Sequence, residues 1–171
     1  MKWLTPEWAR GQLSDKEARD ATKAYQARLT ELAHAATGPV SDLAKSVDHR
    51  LDMSDGIIDS IEIDQPNRLV VLRLVQGSLQ HGYGLLELVA RDGRIEAPSV
   101  PRLRDITTHR DTEIWYWELD LQANDADRYE LRFLCWPEGE FSIAFGELDW
   151  SWTARSDRMV PPPKREVGIR D

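Results

Sequence analysis

The sequence predicts an α+β fold, with N-terminal helices packed on a twisted antiparallel β-sheet and a disordered C-terminal tail. Three observations predict it. The first fifty residues carry apolar side chains at three- and four-residue steps, the next hundred carry them at alternate positions, and the end of the chain is broken by prolines and charges. Helices that precede strands, instead of alternating with them, point away from a doubly wound parallel sheet. The expected organisation is one domain: a helical segment over 1–50, a sheet region over 51–155 with one short crossover helix, and a flexible tail over 156–171. A chain of 171 residues is long enough to bury one proper core.

"TPEW" opens a short helical turn, because Thr5 can cap, Pro6 suits the first helical position and Glu7 complements the positive helix end. Gly11 ends it. A second start falls at Ser14 or Asp15 with Glu17 close behind, and strong helix formers then run to Gly38-Pro39. Ala18, Ala21, Tyr25, Leu29 and Leu32 form its apolar face. Val40, Leu43, Ala44 and Val47 repeat the pattern up to His49.

At "DMSDGIID" the period changes to two. Ile57, Ile61 and Ile63 lie on one side of a strand that ends at "DQPN", a turn signal. "RLVVLRLVQG" is apolar on nearly both faces and reads as a central, covered strand. "GYGLLELVA" follows and ends at Asp92-Gly93, which completes an antiparallel meander. Pro98 and Pro101 punctuate "APSVPRLRDITTHR", the expected crossover helix, capped near Ser99. "TEIWYWELDLQ" alternates, with Glu113, Trp115, Trp117, Leu119 and Leu121 on one face and Ile114, Tyr116, Glu118 and Asp120 on the other. "FLCWPEGEFSIAF" is a hairpin, and "LDWSWTA" adds a last strand with Leu148, Trp150 and Trp152 on one side. From Ser156 on, "SDRMVPPPKREVGIRD" reads as a loose tail.

Charge is unevenly spread. The net charge is −8, and between Asp111 and Trp150 eleven carboxylates stand against only Arg128 and Arg132. That block holds the whole acidic excess. Such a balance argues against unassisted binding to nucleic acid or to an anionic membrane, since both need a basic face. A single cysteine, Cys135, excludes an internal disulfide, and no apolar run has signal-peptide or membrane-span length. A cytoplasmic protein without cofactor is the expectation.

Motifs for chemistry are sparse. His34, His49, His81 and His109 are scattered, with no spacing that brings two together as metal ligands. His81, in the glycine-flanked "QHGYG", is the one histidine in a plausible functional loop. No Gly-x-Ser-x-Gly elbow is present, and Cys135 alternates with Phe133 and Leu131 on an inward face, as a small buried hydrophobe would. Carboxylate pairs are plentiful: Glu138 and Glu140 around Gly139, Asp55 and Asp59 around Gly56, Glu118 and Asp120 on one strand face. On turns and outward faces they are expected to be solvated, where acid/base work would need a cleft. Trp115, Trp117, Trp150 and Trp152 are assigned to the core. Trp136 lies on the opposite face, with Glu130 and Arg132, and either stands exposed as an anchor or folds over the sheet end.

"MKWLTPEW", "DGIIDSIEID" and "FLCWPEGEFSIAF" together resemble an uncharacterised bacterial family: a Thr-Pro-Glu-Trp start, helices, a His-Asp-Gly-like turn and a Trp-Pro-x-Gly-Glu hairpin. The chain departs from that pattern at Ser54, where a histidine would precede Asp-Gly. This weakens any catalytic or metal role for the turn. The family is loosely like immunity proteins of bacterial toxin systems, and the resemblance implies a binder instead of an enzyme.

Three functions follow as expectations. The first is a non-catalytic module that binds a basic partner protein through Tyr116, Glu118, Trp136, Glu138 and Glu140, in the manner of an immunity-like inhibitor. The second is a small hydrolase or ligand-binding enzyme using carboxylates near Asp55, Asp59 and His81. The third is a structural or scaffold subunit. No catalytic residue and no metal ligand is assigned, and the oligomeric state is left open.

Overall fold

The computed structural model describes residues 1–45, 48–78, 80, 82–97, 103, 104, 106, 112–123, 125–137, 139–155 and 166–170. The helices come first. α1 (Pro6–Ala9) starts as its capping residues require, with Trp8 N donating to the Thr5 hydroxyl oxygen at 3.3 Å. α2 (Asp15–Ala35) opens on a full capping box: Glu17 N donates to Ser14 Oγ, and the Glu17 carboxylate takes Ser14 N at 2.9 Å. Gly38, with φ of 58°, begins α3 (Gly38–Lys45), and a 3-10 turn follows at His49–Leu51. Tyr25, Leu29 and Leu32 of α2 and Val40, Leu43 and Ala44 of α3 are buried. The Ser41 hydroxyl ties the two helices by donating to Ala33 O at 3.1 Å.

The sheet is built from β1 (Ile57–Asp64), β2 (Leu69–Ser78), β3 (Gly82–Arg91), β4 (Arg94–Ala97), β5 (Glu113–Gln122), β6 (Asp125–Trp136), β7 (Glu140–Phe145) and β8 (Glu147–Arg155). Its order is β4-β7-β6-β5-β1-β2-β3-β8, with antiparallel neighbours throughout. The α+β fold is therefore as the periodicities predict. β2 is central, and Val70, Leu72 and Leu74 line its core side. At Gly84 an added Cβ would collide with the Trp152 ring, so the bare backbone of β3 lets that indole lie across it from β8.

The segment read as a loose tail contributes a strand. Glu166–Arg170 forms β9, which pairs parallel with Ser60–Asp64 of β1. Glu-Val-Gly-Ile-Arg has the period of a strand, but in sequence it is hidden behind three prolines. The expected crossover helix lies largely outside the described residues, although Leu103 and Ile106 are buried in the core.

The middle of the sheet forks. β5 meets β1 only at Ile57↔Glu113, held by Ile114 N to Gly56 O and Asp55 N to Ile114 O, both at 2.8 Å. Beyond that row the two strands part. β9 takes the edge of β1, while on β5 the Leu119 N–H donates to the Tyr25 hydroxyl of α2 at 2.9 Å. A buried backbone donor must be paired, and here a tyrosine replaces the missing strand. The far ends curl together again, where buried Arg128 of β6 bonds the side chain and carbonyl of Asp92 and Gly146 N donates to Arg91 O at 3.1 Å. One core spans both sides of the fork, from Leu72 and Leu86 to Phe133, Phe141 and Phe145.

A bulge corrects the expected face assignment of β5. Pairing shifts between Ile114 and Tyr116, so Trp115 is the extra residue. Ile114 and Trp117 then share the core side, while Glu113, Tyr116, Glu118 and Asp120 share the other. Trp117 is in the core, Trp150 and Trp152 pack against it half-buried, and Trp115 lies outside it.

Candidate functional site

The acidic face of β5 divides into a covered half and an open half. Chain segment 1–8 lies over the covered half. Glu118, expected on an outward solvated face, is fully buried, and its carboxylate accepts Lys2 N at 2.8 Å, Trp3 N at 2.7 Å and Leu4 N at 2.5 Å. Three successive backbone N–H groups closing on one carboxylate form an anion nest. Asp120 is buried as well, and accepts Lys2 Nζ at 3.0 Å and Arg28 Nε at 2.6 Å. Burial pushes the Asp120 carboxyl up, but the bonds from Arg28 and Lys2 outweigh it and hold the group below the usual carboxylate range.

Arg132 completes this cluster, with Nη1 3.7 Å from Glu118 and Nη2 2.5 Å from Glu130. Lys2, Arg28 and Arg132 thus stand against Glu118, Asp120 and Glu130. An open cavity of about 570 Å³ beside them is lined by Lys2, Arg28, Asp120 and Arg132. Its charges are spent on one another, so the covered half fastens the N-terminal segment and α2 to the sheet. Glu118 is out of a partner's reach.

Tyr116 stands at the boundary. It is half-buried beneath Trp8, edge to face at 4.8 Å between centroids, and touches Trp115 at 5.5 Å. Trp115 meets Trp136 edge to face at 5.1 Å. The four rings make a ladder that begins under α1 and ends in the open, where Trp136 is 46% exposed. Of the two sequence-based placements, the exposed one holds. Glu140 is also exposed, and its carboxylate accepts from the Met1 amino group at 3.1 Å. Glu138 lies outside the described residues.

Two residues at the open end depart from the faces that alternation assigns them: the β5 bulge sets Glu113 opposite Trp117, and the β1 irregularity between Ile58 and Ser60 leaves Ile57 exposed while Ile61 and Ile63 are buried. Ile57, Glu113 and Trp136 are direct cross-strand partners on β1, β5 and β6, so they form one row on one face. Ile57 at 37% and Trp136 at 46% are the exposed large hydrophobics of the described residues, and they flank Glu113. Burial, and then the neighbouring Asp55 carboxylate, push the Glu113 carboxyl up. Recognising this row requires the pairing of three distant strands, which no local pattern shows.

Asp55 sits exposed in a left-handed turn, with φ of 61°, and its charge bears on Glu113, while Asp59 lies half-buried at a β1 bulge. His81 and His109 and the side chain of His49 are outside the described residues. Burial pushes the Cys135 thiol up to about 12, which leaves it protonated and inert at neutral pH. Among the described residues no group of three His, Cys, Asp or Glu could hold a metal ion, and no helix is long and apolar enough to cross a membrane. No family model, no curated protein and no solved structure matches the chain.

Proposed function

We propose that this chain is a non-catalytic protein-binding module whose open sheet end, centred on Trp136 with Glu140 beside it, docks a basic partner protein. The observation that carries the reading is Trp136: a tryptophan 46% exposed, held from below by Trp115, in the block of chain that holds the acidic excess. A ring fixed before binding loses little freedom on docking, and interfaces concentrate tryptophan at their energetic centres. Carboxylates around it would speed the encounter with a basic surface. An immunity-like inhibitor acting in the cytoplasm is the specific form of this module that the resemblance favours.

Affinity capture from a cell lysate with the wild type and with Trp136→Ala/Glu140→Lys tests it, with folding of both checked by circular dichroism. A basic protein retained by the wild type and lost by the double variant is the expected result. Retention of the same set by both proteins would overturn the reading.

A further inference from the structure

We propose that the row Ile57–Glu113–Trp136, with the Asp55 charge near Glu113, is a receptor for a single arginine side chain of the partner. The inference rests on the docking reading above and adds the chemistry of the group that is docked.

Direct cross-strand neighbours lie about 5 Å apart at Cβ, so Glu113 forms the floor between an isoleucine and an indole. Trp115 braces the indole at 5.1 Å, edge to face, and so leaves Trp136 a free ring surface. Both walls are exposed apolar side chains, which suit the methylene stem of a long cationic residue. The floor is a carboxylate that suits its head.

Electrostatics agree. Glu113 is partly desolvated, its neighbour Asp55 carries the same charge, and no lysine or arginine among the described residues offsets either effect on it. Elsewhere on this face the carboxylates have partners: Glu118 has three N–H groups, and Asp120 has Lys2 and Arg28. Among the described residues Glu113 has a like-charged neighbour and no cation, and a bound cation would relieve both costs. Guanidinium fits better than ammonium for two reasons. It is planar, so it stacks on an indole while bonding a carboxylate edge-on, and it is the more weakly hydrated of the two, which favours a partly dry site. A hydrated metal ion would gain nothing from the apolar walls.

The test follows the indole N–H signals of the full-length protein by NMR during titration with acetyl-Gly-Arg-Gly-amide. The citrulline peptide serves as the uncharged isostere and the lysine peptide as the point-charge control, all at fixed ionic strength. Saturable shifts of Trp136 and Trp115 are expected, with the citrulline and lysine peptides binding at least about fivefold more weakly, as a stacked cation requires. Glu113→Gln and Asp55→Asn, which keep the shape of the site, should each weaken the arginine peptide by about threefold or more. Equal binding of the arginine peptide and either control, or binding indifferent to Glu113→Gln, overturns the receptor. The two proposals separate cleanly. A captured partner that is lost with Trp136→Ala/Glu140→Lys but kept by Glu113→Gln leaves the docking surface standing and removes the arginine site. Arginine-selective binding alongside retention of the same proteins by the wild type and by Trp136→Ala/Glu140→Lys supports the site and removes the docking reading.

Discussion

Three carboxylates on one strand face have three different fates, decided by what lies opposite each. Glu118 meets three backbone donors, Asp120 meets two cations, and Glu113 meets another carboxylate. Replacing Glu118 by alanine would leave the N–H groups of Lys2, Trp3 and Leu4 without their acceptor in a buried setting. Stability should fall by about 2–4 kcal/mol in urea unfolding, as when one partner of a buried charge-assisted network is removed. The other two carboxylates should shape the pH dependence in opposite senses. Asp120 has its folded pKa below the ordinary value, so its stabilisation is complete above about pH 4 and is lost as pH falls through the folded pKa. Glu113 has its folded pKa raised, so its ionisation costs the folded state as pH rises through that value. Thermal melts from pH 3 to 8 should therefore show Asp120→Asn destabilised near neutrality, with the difference shrinking in acid. Glu113→Gln should be slightly stabilised near neutrality, and its difference should also vanish in acid.

At the scale of elements, what is local was legible and what is borrowed from a distant segment was not. The capping box of α2, the Thr5 cap of α1 and the meander of β1 to β3 were readable because propensity, capping and alternation all act within a few residues. Glu118 and Asp120 look like the polar half of an alternating strand, and alternation alone assigns them to solvent. Their donors come from residues more than ninety positions away, on segment 1–4 and α2. The bulge at Trp115 has no signature in "EIWYWELD", yet it moves Glu113 to the side opposite Trp117. The open edge of β5 is likewise invisible in sequence, because Tyr25 reads as an ordinary core residue of α2. Burial pushes its phenol well above the usual tyrosine range, so the hydroxyl stays protonated and neutral while it accepts the Leu119 N–H. Tyr25→Phe keeps the ring and its stacking on Trp3 but removes that acceptor. A loss of about 1–3 kcal/mol is expected, and amide exchange at Leu119 should accelerate while that of β6 amides changes less.

For the whole molecule, the question is whether the fork divides the protein into two units. β1, β2, β3 and β8 form one side, β4, β5, β6 and β7 the other, and a single paired row joins them directly. Backbone pairing alone would suggest that each half could open by itself. Packing argues otherwise: one core runs through both halves and beneath α2 and α3, and the curled ends are fastened by Arg128 to Asp92 and by Gly146 to Arg91. Opening either half would strip the shared core from the other, at about 25 cal/mol for each Å² of apolar surface exposed. The tryptophans sit where they can report on this, with Trp117 on β5 and Trp150 and Trp152 on β8. Unfolding in urea followed by fluorescence of a variant retaining only Trp117, and of one retaining only Trp150 and Trp152, should give midpoints that coincide with each other and with far-ultraviolet circular dichroism. Separate midpoints would mean that the two sides fold as independent units, and that the row Ile57–Glu113–Trp136 crosses a hinge and not a rigid surface.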